Sequence, residues 1–180
     1  MTAAEQAGQQ DRVATLLGWA LFLVFFVLFI NIVTLPRTAL DQRAGLQMWH
    51  DSLGWILLVL VLVRLWWWVR TPAPKPPEGL PAASFNFNRA ILLAFFLVFA
   101  VEGFIGPFYA WAEGRQVGFF GAYLPQWRDA SEPVRMATGY THSALAFYYM
   151  MLATIWIAFG IYQNMRYKVG LKRLWPGSAV

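Results

Sequence analysis

The sequence predicts an all-α integral membrane protein: an up-down bundle of four transmembrane helices with both termini cytoplasmic. Three observations predict it: the composition, four long apolar runs, and the way basic residues flank them. Of 180 residues, 59% are apolar, 18% aromatic and only 13% charged. Soluble domains carry about a quarter charged residues, so this chain lacks the charge to cover a water-facing surface. Four spans of about 20 residues with short connections consume nearly all of it. With no cysteine, disulfides, cysteine-ligated zinc, iron–sulfur clusters, thioether-attached haem and thiol–disulfide chemistry are all excluded.

The first run extends from about Val13 to Val33, with Asn31 its one strongly polar residue. The second, about Met48 to Val69, opens on His50 and Asp51 and is interrupted late by Arg64, close enough to the end to snorkel. The third, about Arg89 to Ala110, contains Glu102; the fourth, about Thr138 to Tyr162, is uncharged apart from His142. Each can cross about 30 Å of hydrocarbon. The first twelve residues are polar and lack the basic start and small-residue cleavage site of a secretory signal. This organisation gives a cytoplasmic tail (1–12), a transmembrane domain (13–162) and a basic cytoplasmic tail (163–180). Five prolines in Thr71–Pro81 forbid helix and favour an extended strap between the second and third spans. The connection from Trp111 to Arg135 is longer, rich in glycine and aromatics, and suits a lid or docking surface.

Charge sets the orientation. One side collects Arg12, Arg64, Arg70, Lys75, Arg89, Arg166, Lys168, Lys172 and Arg173 against Glu5, Asp11 and Glu78. The other holds Arg37, Arg43, Arg115, Arg128 and Arg135 against Asp41, Asp51, Glu102, Glu113, Asp129 and Glu132. The first side is cytoplasmic. The basic residues flank apolar runs and form no stripe, so the net charge of +5 reports topology and no nucleic-acid partner; the lipid bilayer is the partner it implies.

The two histidines of the chain, His50 and His142, both fall at the outer start of a span. The second and fourth helices run in the same direction and are diagonal partners in an up-down bundle, so the two imidazoles stand at matching depth, as a porphyrin with two axial imidazoles requires. Their surroundings echo each other: Arg43-x6-His50-x2-Leu53 and Arg135-x6-His142-x2-Leu145. A residue seven positions earlier lies on the histidine's face and about 10 Å nearer the water, where propionates need cations. The bland readings are that an interfacial histidine bonds headgroups and that an arginine there is an anchor. Ionisable groups inside a bundle favour function. Small residues nearby (Ser52, Gly54, Gly103, Gly106, Gly139, Ser143, Ala144 and Ala146) admit a flat macrocycle or serve ordinary helix packing.

The run HDSLGWILLVLVLVRLWWWVRTPAPKPP from His50, with TGYTHSALAFYY and the terminal LKRLWPG, resembles the bacterial cytochrome b561 family of four-helix di-haem membrane proteins, over about Leu16 to Pro176. The resemblance implies haem b, a membrane quinone such as ubiquinone, the bacterial inner membrane, and a second, cytoplasmic-side haem held by a histidine before a Trp in the first helix and another fourteen residues after the fourth-helix ligand. Those positions read Gly18, before Trp19, and Trp156, so one haem per chain is expected. Trp19, Trp66, Trp67, Trp68 and Trp156 fill that volume or, for Trp66 to Trp68, form an interfacial belt. The expected function is a bis-histidine cytochrome relaying single electrons between an outer-side donor, or a partner redox subunit, and the quinone. The alternative is a non-catalytic scaffold subunit of a larger respiratory or photosynthetic complex. Glu102 protonates a quinone, pairs with an arginine, stays neutral, or contacts headgroups from the outer third. A transporter is disfavoured by the lack of charge along a midplane path.

Overall fold

A computed structural model describes the backbone of residues 3–127 and 129–171, and side chains from residue 12 onward. Four helices dominate it: α1 (Ala3–Thr34), α2 (Arg43–Arg70), α3 (Ala82–Ala112) and α4 (Glu132–Tyr167). All four are long and apolar enough to cross a membrane. Each runs beyond its apolar stretch because polar residues continue the helix into the headgroup region; at 1.5 Å per residue even α2 is about 42 Å long. The basic positions Arg128, Lys172 and Arg173 lie outside the described residues.

Turn chemistry sets the helix ends. Two 3-10 turns, Leu35–Arg37 and Leu40–Gln42, join α1 to α2, the first opened by Pro36. The proline-rich strap carries no helix from 71 to 81; α3 begins directly after Pro81. Pro133 sits in the first turn of α4, where its missing N–H costs nothing.

The bundle is two helical hairpins, α1–α2 and α3–α4, joined along the α2–α3 seam. Among the described residues α1 and α4 have no Cα atoms within 8 Å, nor have the diagonal pair α2 and α4. Side chains bridge the gap: Phe25 of α1 meets Tyr149 of α4 edge-on at 5.5 Å and Phe99 of α3 at 5.3 Å. These rings belong to the main core, with Leu21, Leu28, Leu53, Leu57, Val61 and Phe96. At Gly103 an added Cβ would stand 2.9 Å from Leu58, so glycine there lets α2 and α3 approach.

The connection Trp111–Arg135 contains the only non-helical pairing among the described residues, a two-stranded hairpin of β1 (Gly118–Phe119) and β2 (Ala122–Tyr123). Its turn residues Phe120 and Gly121 both have positive φ, 44° and 92°, as the twist-matched hairpin turn demands. Phe120 is a costly residue for that conformation, and α2 supplies compensation. The buried Ser52 hydroxyl accepts from Phe120 N at 2.9 Å. Asp51 accepts from Gly118 N and from Arg115 Nη1, both at 3.0 Å. The lid expected in this segment is therefore a hairpin stapled to the turn of α2 that carries His50.

Arg64 departs from expectation. It does not snorkel: it is 5% exposed, its guanidinium lying over Trp68 and Phe96 at 5.4 and 5.3 Å. Six residues from the end of α2, its direction is set by packing against α3, which closes over it. A desolvated cation–π contact contributes about 2 kcal/mol or more, whereas the effective penalty for burying an unpaired ion is several kcal/mol. The two aromatic faces offset part of that burial and leave the charge itself unneutralised. Trp68 lies inside the bundle against Phe96, while Trp66 is 55% exposed and belongs to the belt.

Candidate haem site

His50 sits in the second turn of α2 and His142 in the third turn of α4. Though the backbones of these diagonal helices stay apart, the two imidazoles face each other, ring centroids 6.2 Å apart and planes at 84°. Two imidazoles bonded through nitrogen to opposite sides of one metal ion, at about 2.0–2.1 Å each, have centroids about 6 Å apart once the rings' own size is added. The observed separation fits. Among the described residues no group of three or more His, Cys, Asp or Glu could hold a metal ion, but a porphyrin iron takes four ligands from its macrocycle and asks the chain for only two.

Space and polar atoms fit as well. Gly54, one turn below His50 and only half-exposed, has no atom within 4 Å of where a Cβ would stand. At Gly106 of α3 a Cβ would meet His142 Cε1 at 3.5 Å, and at Gly139 of α4 it would stand 2.9 Å from the Tyr109 ring. The small residues named in the sequence thus divide: Gly54 opens a space beside the ligand helix, Gly106 lies against the His142 ring, and Gly103 and Gly139 serve packing. His50 Nδ1 is buried without a hydrogen-bond partner. His142 Nδ1 is likewise buried and makes no hydrogen bond of good geometry, but it lies 3.0 Å from Oε1 of Glu102, a carboxylate only 12% exposed. A carboxylate at Nδ1 favours the tautomer whose Nε2 lone pair is free for a metal.

The Glu102–His142 contact joins α3 to α4, and sequence reasoning did not find it. The available signal was Glu102 itself, an intramembrane acid, with Gly139 of α4 letting that helix approach Tyr109 of α3. Asp51 was also missed as the anchor of the hairpin, because Arg115 and Gly118 are 64 and 67 residues away in sequence.

The structure places Arg43 and Arg135 at the outer starts of the histidine helices, each already engaged. Arg43 donates from Nε to Thr38 O at 2.8 Å and from Nη2 to Pro36 O at 3.0 Å, capturing carbonyls that the 3-10 turn leaves free. Arg135 pairs with Glu132 through two bonds of 2.6 and 2.7 Å. Gly18 and Trp156 bring no imidazole to the cytoplasmic half, and the Trp156 indole N–H is buried without a partner.

A helical membrane bundle with two apposed imidazoles near one face defines the class of membrane-embedded haem proteins. The comparison with family models bears this out: the model for prokaryotic cytochrome b561 matches residues 9–177. The chain belongs to the prokaryotic cytochrome b561 family, and is accordingly a multi-pass bacterial membrane protein, a b-type cytochrome of electron transfer for which the family implies haem b. No curated protein matches it in sequence.

Proposed function

We propose that the chain holds one haem b between His50 and His142, near the outer face of the bacterial inner membrane, and relays single electrons between an outer-side donor and a membrane quinone such as ubiquinone. The observation that carries this reading is the 6.2 Å apposition of the two imidazoles. Haem b bound through both would be six-coordinate, leaving no open position for O2 or substrate, so its chemistry there is one-electron exchange. Glu102 orients the His142 ring through Nδ1. The stapled hairpin covers the outer end and keeps water from the ligand turn of α2. The hairpin and the segment after it expose Phe119, Phe120, Tyr123 and Trp127, the last at 71%; an apolar surface outside the membrane suits a docking donor or partner redox subunit. The quinone rests on the family alone.

The same exposed aromatics favour a second reading, a scaffold subunit of a larger respiratory or photosynthetic complex. A reduced-minus-oxidised spectrum of the purified protein separates the two: a b-type α band is expected, and its absence leaves the scaffold.

Arg43 and Arg135 are proposed to hold the propionates. Of the two, Arg43 has the freer charge, since its partners are neutral carbonyls, whereas Arg135 must exchange Glu132 for a propionate. Positive charge near the centre stabilises the more electron-rich reduced state, so Arg43→Ala is expected to lower the midpoint potential by about 60 mV, one tenfold step for a one-electron couple, with haem content unchanged. Parental titrations for both Arg43→Ala and Arg135→Ala would leave these residues as anchors.

Replacing the carboxylate that orients a metal-bound imidazole typically costs 10–100-fold in affinity. Glu102→Leu is accordingly expected to weaken haem retention by about that factor, with Glu102→Gln closer to the parent because it keeps an acceptor. Transfer of haem to an excess of an apo-haem-binding protein measures it, and equal transfer rates for parent and Glu102→Leu would reject the role.

A further inference from the structure

The cytoplasmic half of the bundle holds buried polar side chains that the outer site does not use. Arg64 of α2, 5% exposed, and Arg89 of α3 both lie over the Trp68 ring, at 5.4 and 4.5 Å from its centroid. Arg89 Nη1 is buried without a hydrogen-bond partner. Beside it in sequence, Asn88 is wholly buried, and both polar atoms of its amide lack partners. Among the described residues no Asp or Glu forms an ion pair with either arginine. Two guanidiniums around one indole repel each other, and ring faces do not neutralise them. An anion between them would relieve that repulsion and satisfy the orphaned N–H groups.

We propose that Arg64 and Arg89, with Trp68 between them, bind the phosphate group of an anionic phospholipid of the cytoplasmic leaflet. Depth selects a lipid. Arg64 lies six residues before the end of α2 and Arg89 seven after the start of α3, about 9–10 Å along each helix. Since each helix is over 10 Å longer than the hydrocarbon is thick, both residues stand close to the headgroup boundary. The positive-inside distribution puts this end on the cytoplasmic side, where basic pockets between transmembrane helices take acidic headgroups. Chemistry selects phosphate: the guanidinium fork donates parallel N–H bonds to its oxygens. Below this depth both helices expose apolar residues for acyl chains to follow, among them Val59 and Leu62 on α2 and Leu97 on α3. The proposal is independent of what His50 and His142 bind.

The test uses the purified full-length protein in detergent, stripped of lipid and loaded with haem, its melting temperature measured with phosphatidylglycerol, phosphatidylcholine or inorganic phosphate added. Phosphatidylglycerol at saturating concentration should raise the melting temperature by about 5 °C or more, and the other two should not. Arg64→Gln and Arg89→Gln should lose that rise, while Arg70→Gln, which removes an exposed cation from the same end, should keep it. Should Arg64→Gln fail to fold, Arg89→Gln against Arg89→Lys decides, the lysine retaining part of the rise. The proposal is overturned by an undiminished rise in Arg89→Gln, by no rise in the parent, or by equal protection from phosphatidylcholine or from inorganic phosphate alone.

Discussion

Replacing either His50 or His142 with alanine is expected to strip the purified protein of haem. The rings stand on different helical hairpins with centroids 6.2 Å apart, so one of them alone cannot grip a flat group from both sides. Loss of an orienting group behind a ligand already costs 10–100-fold in affinity, and loss of the ligand should exceed that. In the parent, a pyridine haemochrome assay should give one haem per chain. A value of two, or a variant that keeps full haem content with an unchanged spectrum, would place the ligands elsewhere.

The second large effect is a rate. The chain alone is expected not to carry electrons across the membrane. The positions at which the family's second ligand pair would stand read Gly18 and Trp156; the latter is fourteen residues beyond His142, about 21 Å along α4. Between the outer histidines and that level the bundle is closed by Phe25, Phe95, Phe99 and Tyr149, packed ring against ring, and none of these binds iron as imidazole does. With an impermeant reductant inside liposomes and an impermeant oxidant outside, oxidation should run far below the roughly 1–1000 s⁻¹ of ordinary enzymatic turnover. Donor and acceptor then both approach from the outer half, or a partner subunit supplies the inner centre. Fast, His50-dependent oxidation of the lumenal reductant would refute this.

What the sequence made legible follows from the physics of the bilayer. A span must be apolar for about 20 residues and must satisfy its own backbone, so four helices could be counted directly, and two histidines at matched depth on same-direction helices could be paired across a bundle. Lateral packing was not legible in the same way. The snorkelling expected of Arg64 failed because the direction of a long side chain depends on what α3 places against it, and Phe96 and Trp68 enclose it. Glu102 was recognisable as an intramembrane acid, but its nearness to His142 depends on the lateral packing of α3 on α4, where Gly139 sits against Tyr109. The hairpin was invisible because its register is fixed by bonds to Asp51 and Ser52 from residues more than 60 positions away, and because Phe120 is a poor residue for a positive-φ turn.

The division of the bundle into two hairpins has a consequence for stability. The α1–α2 and α3–α4 hairpins share one backbone seam, α2–α3, and opposite that seam α1 and α4 touch only through side chains. Such a body opens like a book along its spine. His50 belongs to one cover and His142 to the other, so a group gripped by both rings acts as a clasp, and its binding free energy adds to the cohesion of the halves. Haem-loaded protein should therefore resist proteolysis better than the haem-free form, and loss of the clasp should open the α1–α4 edge, where only side chains meet, before the α2–α3 spine gives way.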